Sequence, residues 1–385
     1  MERVDRISAI LGDLIAFPTV SSDSNLELTD YAADLLRQAG AEVDVTKDAT
    51  GLKANLFATF GPPDDGGLVL SGHTDVVPVE GQDWSSYPFE MVREGDRLFG
   101  RGACDMKGFV ACVLSMAPEF GKWPLKTPIH VALTYDEEVG CYGAQALAGD
   151  LNRRGVAPAM AIIGEPTLMR VIDGHKGCYE YTTEFQGLAG HGSTPDLGVN
   201  AAAYAALYAG RLLELAEELK ERAPSDCPFD PPWTTINIGR IEGGSAHNVI
   251  PAQAALDWEM RPVTADDAHF VRAEIDQYAD AALAPQMQRV SRDASVNRRV
   301  IGEVDGLMPT PNNKAAELVA RITGSNARET VAFGTEAGIF QGLDMHCVVC
   351  GPGSIEQAHK ADEFIALSQL AACDELLRGL EGVLT

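Results

Sequence analysis

The sequence predicts an α/β protein built on a mixed, largely parallel sheet sandwiched by helices, with a ferredoxin-like α+β domain inserted into it. Three observations carry that prediction. Short apolar runs alternate with segments of helical periodicity up to about residue 173, and the same texture returns near the C-terminus. Between them lies a stretch ordered strand–helix–strand–strand–helix–strand, which is the ferredoxin-like order. Clusters of His, Asp and Glu stand just past the ends of the predicted strands of the first pattern. The expected organisation is an α/β domain from residues 1–177 and 292–385, and a domain inserted at 178–291.

Each element follows from local pattern. Ile7, Ile10, Leu11, Leu14 and Ile15 recur at helical spacing among charges, giving an amphipathic first helix; a signal peptide would have an uninterrupted apolar core and a cleavage site. The runs at 68–70, 129–135 and 159–163 read as buried strands, and 107–116 as a helix. From Cys178 the texture changes: Tyr179, Tyr181, Thr183 and Phe185 alternate as in a half-exposed strand. A long Ala/Leu/Glu helix at 199–222, strands at 235–241 and 254–260, a helix at 265–283 and a last strand at 286–291 complete the insert. Residues 347–350 form another buried strand, and Phe364, Leu367, Leu370, Leu377 and Leu380 mark a C-terminal amphipathic helix.

Composition narrows the functional class. With 385 residues, 45% hydrophobic and 22% charged, the chain has the balance of a globular enzyme and not of a disordered segment. Thirty basic against 56 acidic residues give a net charge of −26, which repels phosphate backbones and anionic lipid and excludes nucleic acid and membrane surfaces as partners. The eight cysteines form no paired framework. Cys347 and Cys350 have CxxC spacing, but they flank a buried strand and no second CxxC exists, so reduced core thiols and a cytoplasmic location are expected. No apolar run reaches membrane-spanning length.

The chemistry lies in five segments: SGHTDVVP (71–78), GRGACDMKG (100–108), TYDEEVG (134–140), IGEPT (163–167) and GPGSIEQAHKADE (351–363). Loops at the carboxyl ends of parallel strands converge on one crevice. His73, Asp105, Glu138, Glu165 and His359 are therefore the candidate metal ligands, a borderline-hard set suited to zinc, cobalt or manganese. Five such groups exceed one tetrahedral ion, which implies two ions sharing Asp105; paired ions in hydrolases sit about 3.5–4 Å apart. Asp75, two residues after His73, is placed to take the proton of that imidazole's other nitrogen. Glu137 and Glu138 point different ways, so Glu138 is assigned to metal and Glu137 to the general base. Taken singly, each has a plainer reading: Asp105 as a helix cap, Glu137–Glu138 as first-turn acids, His73 and His359 as loop residues. Their coincidence at loops that should meet outweighs those readings.

These segments, in this order across nearly the whole chain, resemble the di-zinc metallopeptidase and amidohydrolase family that includes acetylornithine deacetylase, succinyl-diaminopimelate desuccinylase, aminoacylases and carboxypeptidase G-type enzymes. The resemblance implies His73, Glu165 and bridging Asp105 on one zinc, and Glu138, His359 and Asp105 on the other, with Glu137 as base and Asp75 as orienting acid. It also implies a homodimer through the inserted domain, and His191, in GHGS, as an oxyanion donor reaching into the partner's site. Arg261 and Asn248 resemble residues that bind the substrate. HKG at 175–177, GHGSTPDLGVNA at 190–201 and FGTEAGIFQ at 333–341 are most similar to the acetylornithine deacetylase branch. The implied substrate is a small N-acyl amino acid, N2-acetyl-L-ornithine first, yielding ornithine and acetate for arginine biosynthesis. A desuccinylase, general aminoacylase or dipeptidase are the alternatives on the same scaffold. Glu336 is the candidate acceptor for a basic substrate side chain.

Overall fold

A computed structural model describes residues 2–62 and 66–385. The chain divides into two compact units. One comprises Met1–Gly174, Leu307–Thr330 and Thr335–Thr385; the other comprises His175–Gly306 and Val331–Gly334.

The first unit is organised by an eight-stranded mixed sheet. Its strand order is Glu42–Lys47, Ala54–Phe60, Ile129–Thr134, Leu68–His73, Met160–Pro166, His346–Gly351, Ile172–His175 and Glu329–Val331. The four central strands run parallel in consecutive register, Leu68–His73 lying between Ile129–Thr134 and Met160–Pro166, and His346–Gly351 beyond the latter. All four are almost wholly buried, as expected of strands with both faces covered. Because they are parallel, their carboxyl ends share one edge, and the chain leaves that edge at His73, Thr134, Pro166 and Gly351.

The helices Glu2–Ile15, Leu26–Gln38, Lys107–Phe120, Lys314–Thr323 and Leu367–Gly379 contribute to a single core with the sheet, including Leu11, Leu36, Phe109, Phe120, Val319 and Leu377. Lys107–Phe120 is buried along nearly its whole length. It approaches the sheet at Gly164, where a Cβ would stand 2.0 Å from the Phe109 ring. A side chain there would push the helix off the strand that carries Glu165, so IGEPT needs its glycine.

The second unit is a four-stranded antiparallel sheet in the order Thr235–Gly243, Gln253–Arg261, Cys178–Gln186, Ser295–Val304. The helices Ala201–Glu221 and Ala265–Tyr278 share a core with it, including Tyr181, Tyr208, Leu212, Val271 and Trp258. Each helix starts at a side-chain cap, Asn200 accepting from the Ala203 N–H and Thr264 from the Asp267 N–H. Numbering its strands along the chain, the spatial order 2-3-1-4 is the ferredoxin-like arrangement anticipated from sequence.

One element differs. No strand forms at 286–291: the chain continues through the π-turn Ala279–Leu283 into the helix Ala284–Gln288, followed by a turn. Met287 and Val290, three residues apart, fit a helix as well as a strand. The fourth strand is Ser295–Val304, and the unit extends to Gly306, beyond the expected boundary at 291. That strand is rich in polar residues, and its Arg298 lies over the Tyr181 ring while pairing with Asp276. Among the described residues no helix is long and apolar enough to cross a membrane.

Candidate metal centre

The loops leaving the shared edge of the first unit bring together all five predicted ligands. His73 closes its strand, buried, with Nε2 3.1 Å from Asp105 Oδ1 and 3.7 Å from Glu165 Oε1. His359 Nε2 lies 3.1 Å from Glu138 Oε2 and 3.5 Å from the second oxygen of Asp105. Asp105 thus presents one oxygen to His73 and the other to His359, the disposition a bridging carboxylate requires. It is no helix cap: the helix Lys107–Phe120 is capped at Met106, without a side-chain hydrogen bond. Glu137 joins His73 and Glu165 in a second group of close ligand atoms, while His73, Asp105 and Glu138 form the first.

The His73 tautomer is set from behind. Nδ1 stands 2.9 Å from the Asp75 backbone carbonyl, so it donates its proton there and Nε2 faces the acids, the nitrogen left to bind metal when the ring is neutral. The Asp75 carboxylate lies against the same nitrogen, its oxygen 3.6 Å from Nδ1, and helps hold the ring's proton. It also accepts the Glu137 N–H at 3.1 Å, the Glu138 N–H at 3.3 Å and the Ser21 hydroxyl at 2.6 Å. Asp75 therefore holds the Glu137–Glu138 turn against the His73 strand. Ser21 carried no signal in sequence, since its partner is 54 residues away.

Electrostatically the cluster lacks positive charge. Burial, with the neighbouring acids, holds Glu137 and Glu165 well above the ordinary carboxyl range against the opposing pull of His73. Burial and Asp105 push Glu138 to about 7. Hydrogen bonds to Asp105 and Glu138 raise His359 to about 10, and the surrounding acids hold His73 well above its ordinary value although burial opposes them. Glu165 Oε1 is buried with no hydrogen-bond partner. Two imidazoles, an orphaned carboxylate oxygen and a carboxylate shared between two halves form a donor set that fits a pair of divalent cations.

The remaining candidates separate. Glu336 is deeply buried and both its oxygens are engaged, one accepting the Thr134 hydroxyl at 2.5 Å and the other the Ser71 hydroxyl at 3.3 Å. Its expected role as acceptor of a substrate ammonium is corrected, because the fold itself occupies the carboxylate. In the second unit, His191 and Asn248 come together: Gly190–His191 pairs with Val249–Ile250, and the Gly192 N–H donates to the Asn248 carbonyl at 2.7 Å. Arg261 does not join them. It ends the strand Gln253–Arg261, about 26 Å from that strand's start at about 3.3 Å per residue, and pairs with Glu259 at 2.8 Å.

The acids predict a pH signature. Burial raises Glu138 and Glu336 from 4.5 to about 7 in the fold. A carboxyl that binds its proton more tightly when folded contributes stability below its unfolded pKa and loses it as pH rises through the folded value. The raised imidazoles act in the same direction, His359 losing its contribution only as pH climbs from 6.5 through about 10. Chelated protein should therefore lose several degrees of Tm between about pH 4.5 and 7, and zinc should abolish the loss. A thermal scan series with and without chelator measures this; a flat chelated profile contradicts the charge balance described.

Comparison with known proteins agrees with the fold. The model of peptidase family M20/M25/M40 matches residues 69–380, which span every ligand. The chain is 34% identical over 371 residues to the acetylornithine deacetylase of Shigella sonnei (strain Ss046), covering 94% of each chain. It is 36% identical over 383 residues to that of Myxococcus xanthus, covering 96% of this chain and 95% of the relative. In fold it is similar to an M20 family metallo-carboxypeptidase from Sulfolobus solfataricus, with a TM-score of 0.75 and 17% identity over 96% of this chain and 97% of that one. The chain belongs to peptidase family M20/M25/M40.

Proposed function

We propose that the protein hydrolyses the amide of N2-acetyl-L-ornithine to ornithine and acetate, using two zinc ions held by His73, Glu165 and Asp105 on one side and by Glu138, His359 and Asp105 on the other. The observation that carries this reading is the convergence of four ligand side chains, His73, Glu165, Glu138 and His359, around the two oxygens of Asp105, with Glu137 beside them. Identity to two acetylornithine deacetylases over nearly the whole chain supports the substrate.

Bound zinc would acidify water from a pKa of 15.7 to about 7 and polarise the acyl carbonyl. The chain's own residues manage the protons. Glu137 takes the proton of the attacking water and returns it to the departing amine. Its burial among acids, which makes it hold a proton more tightly than an exposed glutamate, suits it to the second transfer. His191 of one protomer donates to the oxyanion developing in its partner's site. The Ser193 N–H donates to His191 Nδ1 at 3.2 Å, so the neutral ring carries its proton on Nε2, as a donor requires.

Acetyl is favoured over succinyl because the cation of the HKG segment is already engaged. The Lys176 ammonium donates to the Trp233 carbonyl at 2.8 Å, which leaves it poorly disposed to receive a second carboxylate. Homodimerisation through the inserted unit belongs to the same reading. It is supported by the edge strand Thr235–Gly243, which is unpaired on its outer side and exposes Ile241. The eight free cysteines fit a reducing, cytoplasmic setting.

Turnover of N-acetylornithine should exceed that of succinylated diaminopimelate and of dipeptides by at least about tenfold in kcat/KM, a difference of 1.4 kcal/mol in transition-state binding. His191→Ala should lower kcat on that substrate without changing zinc content. Preference for a dipeptide or a succinylated substrate overturns the assignment, and an unaltered rate removes the oxyanion role of His191.

A further inference from the structure

Behind two of the ligands stands a buried ion pair, Glu363 and Arg101, that the reaction does not consume. Glu363, in the last segment of the GPGSIEQAHKADE motif, is 1% exposed and accepts four hydrogen bonds. One oxygen takes the N–H groups of Cys104 at 2.8 Å and Asp105 at 3.0 Å. The other takes the Gly102 N–H at 3.0 Å and the Arg101 guanidinium at 2.8 Å. The turn that delivers Asp105 is thus folded around one carboxylate instead of being held by a sheet or helix partner.

Arg101, equally buried, carries the link onward. It donates to the Lys360 carbonyl at 3.3 Å and to Gln82 Oε1 at 2.5 Å, and stacks on the Trp84 ring at 5.0 Å. Gln82 in turn donates from Nε2 to the His359 carbonyl at 3.1 Å. His359 is more than half exposed and sits in the left-handed region at φ 62°, so side-chain packing does little to fix it. Its backbone is held where the carbonyls of residues 359 and 360 meet Gln82 and Arg101. The Ser85 N–H and hydroxyl, both 2.8 Å from Asp362, staple the same two loops a second time.

We propose that Glu363 and Arg101, relayed through Gln82, are positioning residues that set the backbone beneath two ligands at once, Asp105 and His359, and so tune the affinity of the centre for metal. A buried ion pair is a weak source of stability by itself, since desolvation offsets its attraction. What distinguishes this one is where its remaining bonds go: three to the turn that carries Asp105, two, one of them through Gln82, to the loop that carries His359, and one to the Pro78 carbonyl. Partners of this kind commonly alter metal affinity by about 10–100-fold. The proposal rests on the two-metal reading above.

The test is zinc binding to the full chain, by competition with a chromophoric chelator, for wild type, Glu363→Gln and Gln82→Ala, with Tm of the chelated proteins and the visible spectrum after cobalt substitution. Glu363→Gln keeps an oxygen for one half of the donor group and opposes the other half with an amide. It should weaken both sites by about 10–100-fold and shift the cobalt spectrum. Gln82→Ala lies at the surface and should leave the chelated Tm unchanged while weakening one of the two sites only, the one that includes His359. If Glu363→Gln does not fold, Gln82→Ala decides alone. Two zinc ions bound by both variants within twofold of wild-type affinity, with unaltered spectra, overturn the positioning role. Wild type that binds no zinc overturns the two-metal reading itself, and the clamp with it.

Discussion

Glu137→Ala should lose about 10²–10⁴-fold in kcat while retaining two zinc ions and a near-normal KM, the range general base catalysis commonly contributes. The expectation follows from how the residue is held. Its backbone N–H is fixed on Asp75 Oδ1 at 3.1 Å, a bond that survives truncation of the side chain. Glu138, not Glu137, contacts His359, at 3.1 Å. Glu137 stands instead with His73 and Glu165, near enough to that half of the centre to face the attacking water. The alternative assignment exchanges the two glutamates. It predicts that Glu137→Ala loses metal and Glu138→Ala keeps it, so zinc content measured beside kcat separates the two. Glu137→Gln, which preserves volume, should be as slow as the alanine variant.

Asp105→Ala should have the largest effect on the metal. Its two oxygens face different imidazoles, His73 at 3.1 Å and His359 at 3.5 Å, so one substitution removes a ligand from each half. It also strips the negative charge that helps hold His359 at about 10, leaving the two halves electrostatically uncoupled. Zinc affinity should fall by more than the roughly 100-fold typical of a supporting partner, and stoichiometry at micromolar zinc should drop below one per chain. His359→Ala, by contrast, should lose one ion and retain the other. Two tightly bound ions in Asp105→Ala would contradict a shared carboxylate.

Much of this centre was legible in the sequence because strand ends are legible. An apolar run that stops at a histidine or a glutamate marks both an element boundary and a polar edge, and parallel strands place such edges side by side. His73, Glu165 and the Glu137–Glu138 pair were found that way. Asp105 was not separable from a helix cap by spacing alone; only the position of Met106 as the cap and the direction of the carboxylate decide it. Local spacing places the Asp75 carboxylate beside His73 but does not reveal its other partners. The backbone carbonyl of the same residue reaches His73 first, and the side chain is drawn to N–H groups some 62 residues away. Glu336 read as an acid at the start of a helix, but its burial depends on Ser71 and Thr134 in two strands of the sheet, which sequence proximity does not reveal. The last strand of the insert is not legible because its charged residues Arg298 and Arg299 find their partners, Asp276 and Thr182, across the unit and not along the chain.

Two cations sharing one aspartate are the core of the proposed centre. The direct test is a crystal of zinc-loaded protein examined by anomalous scattering at the zinc edge. Two peaks about 3.5–4 Å apart, one in contact with His73 and Glu165, the other with His359 and Glu138, and both with Asp105, are the predicted result. A single peak, or ions bound away from Asp105 in a protein that remains fully active, would contradict it.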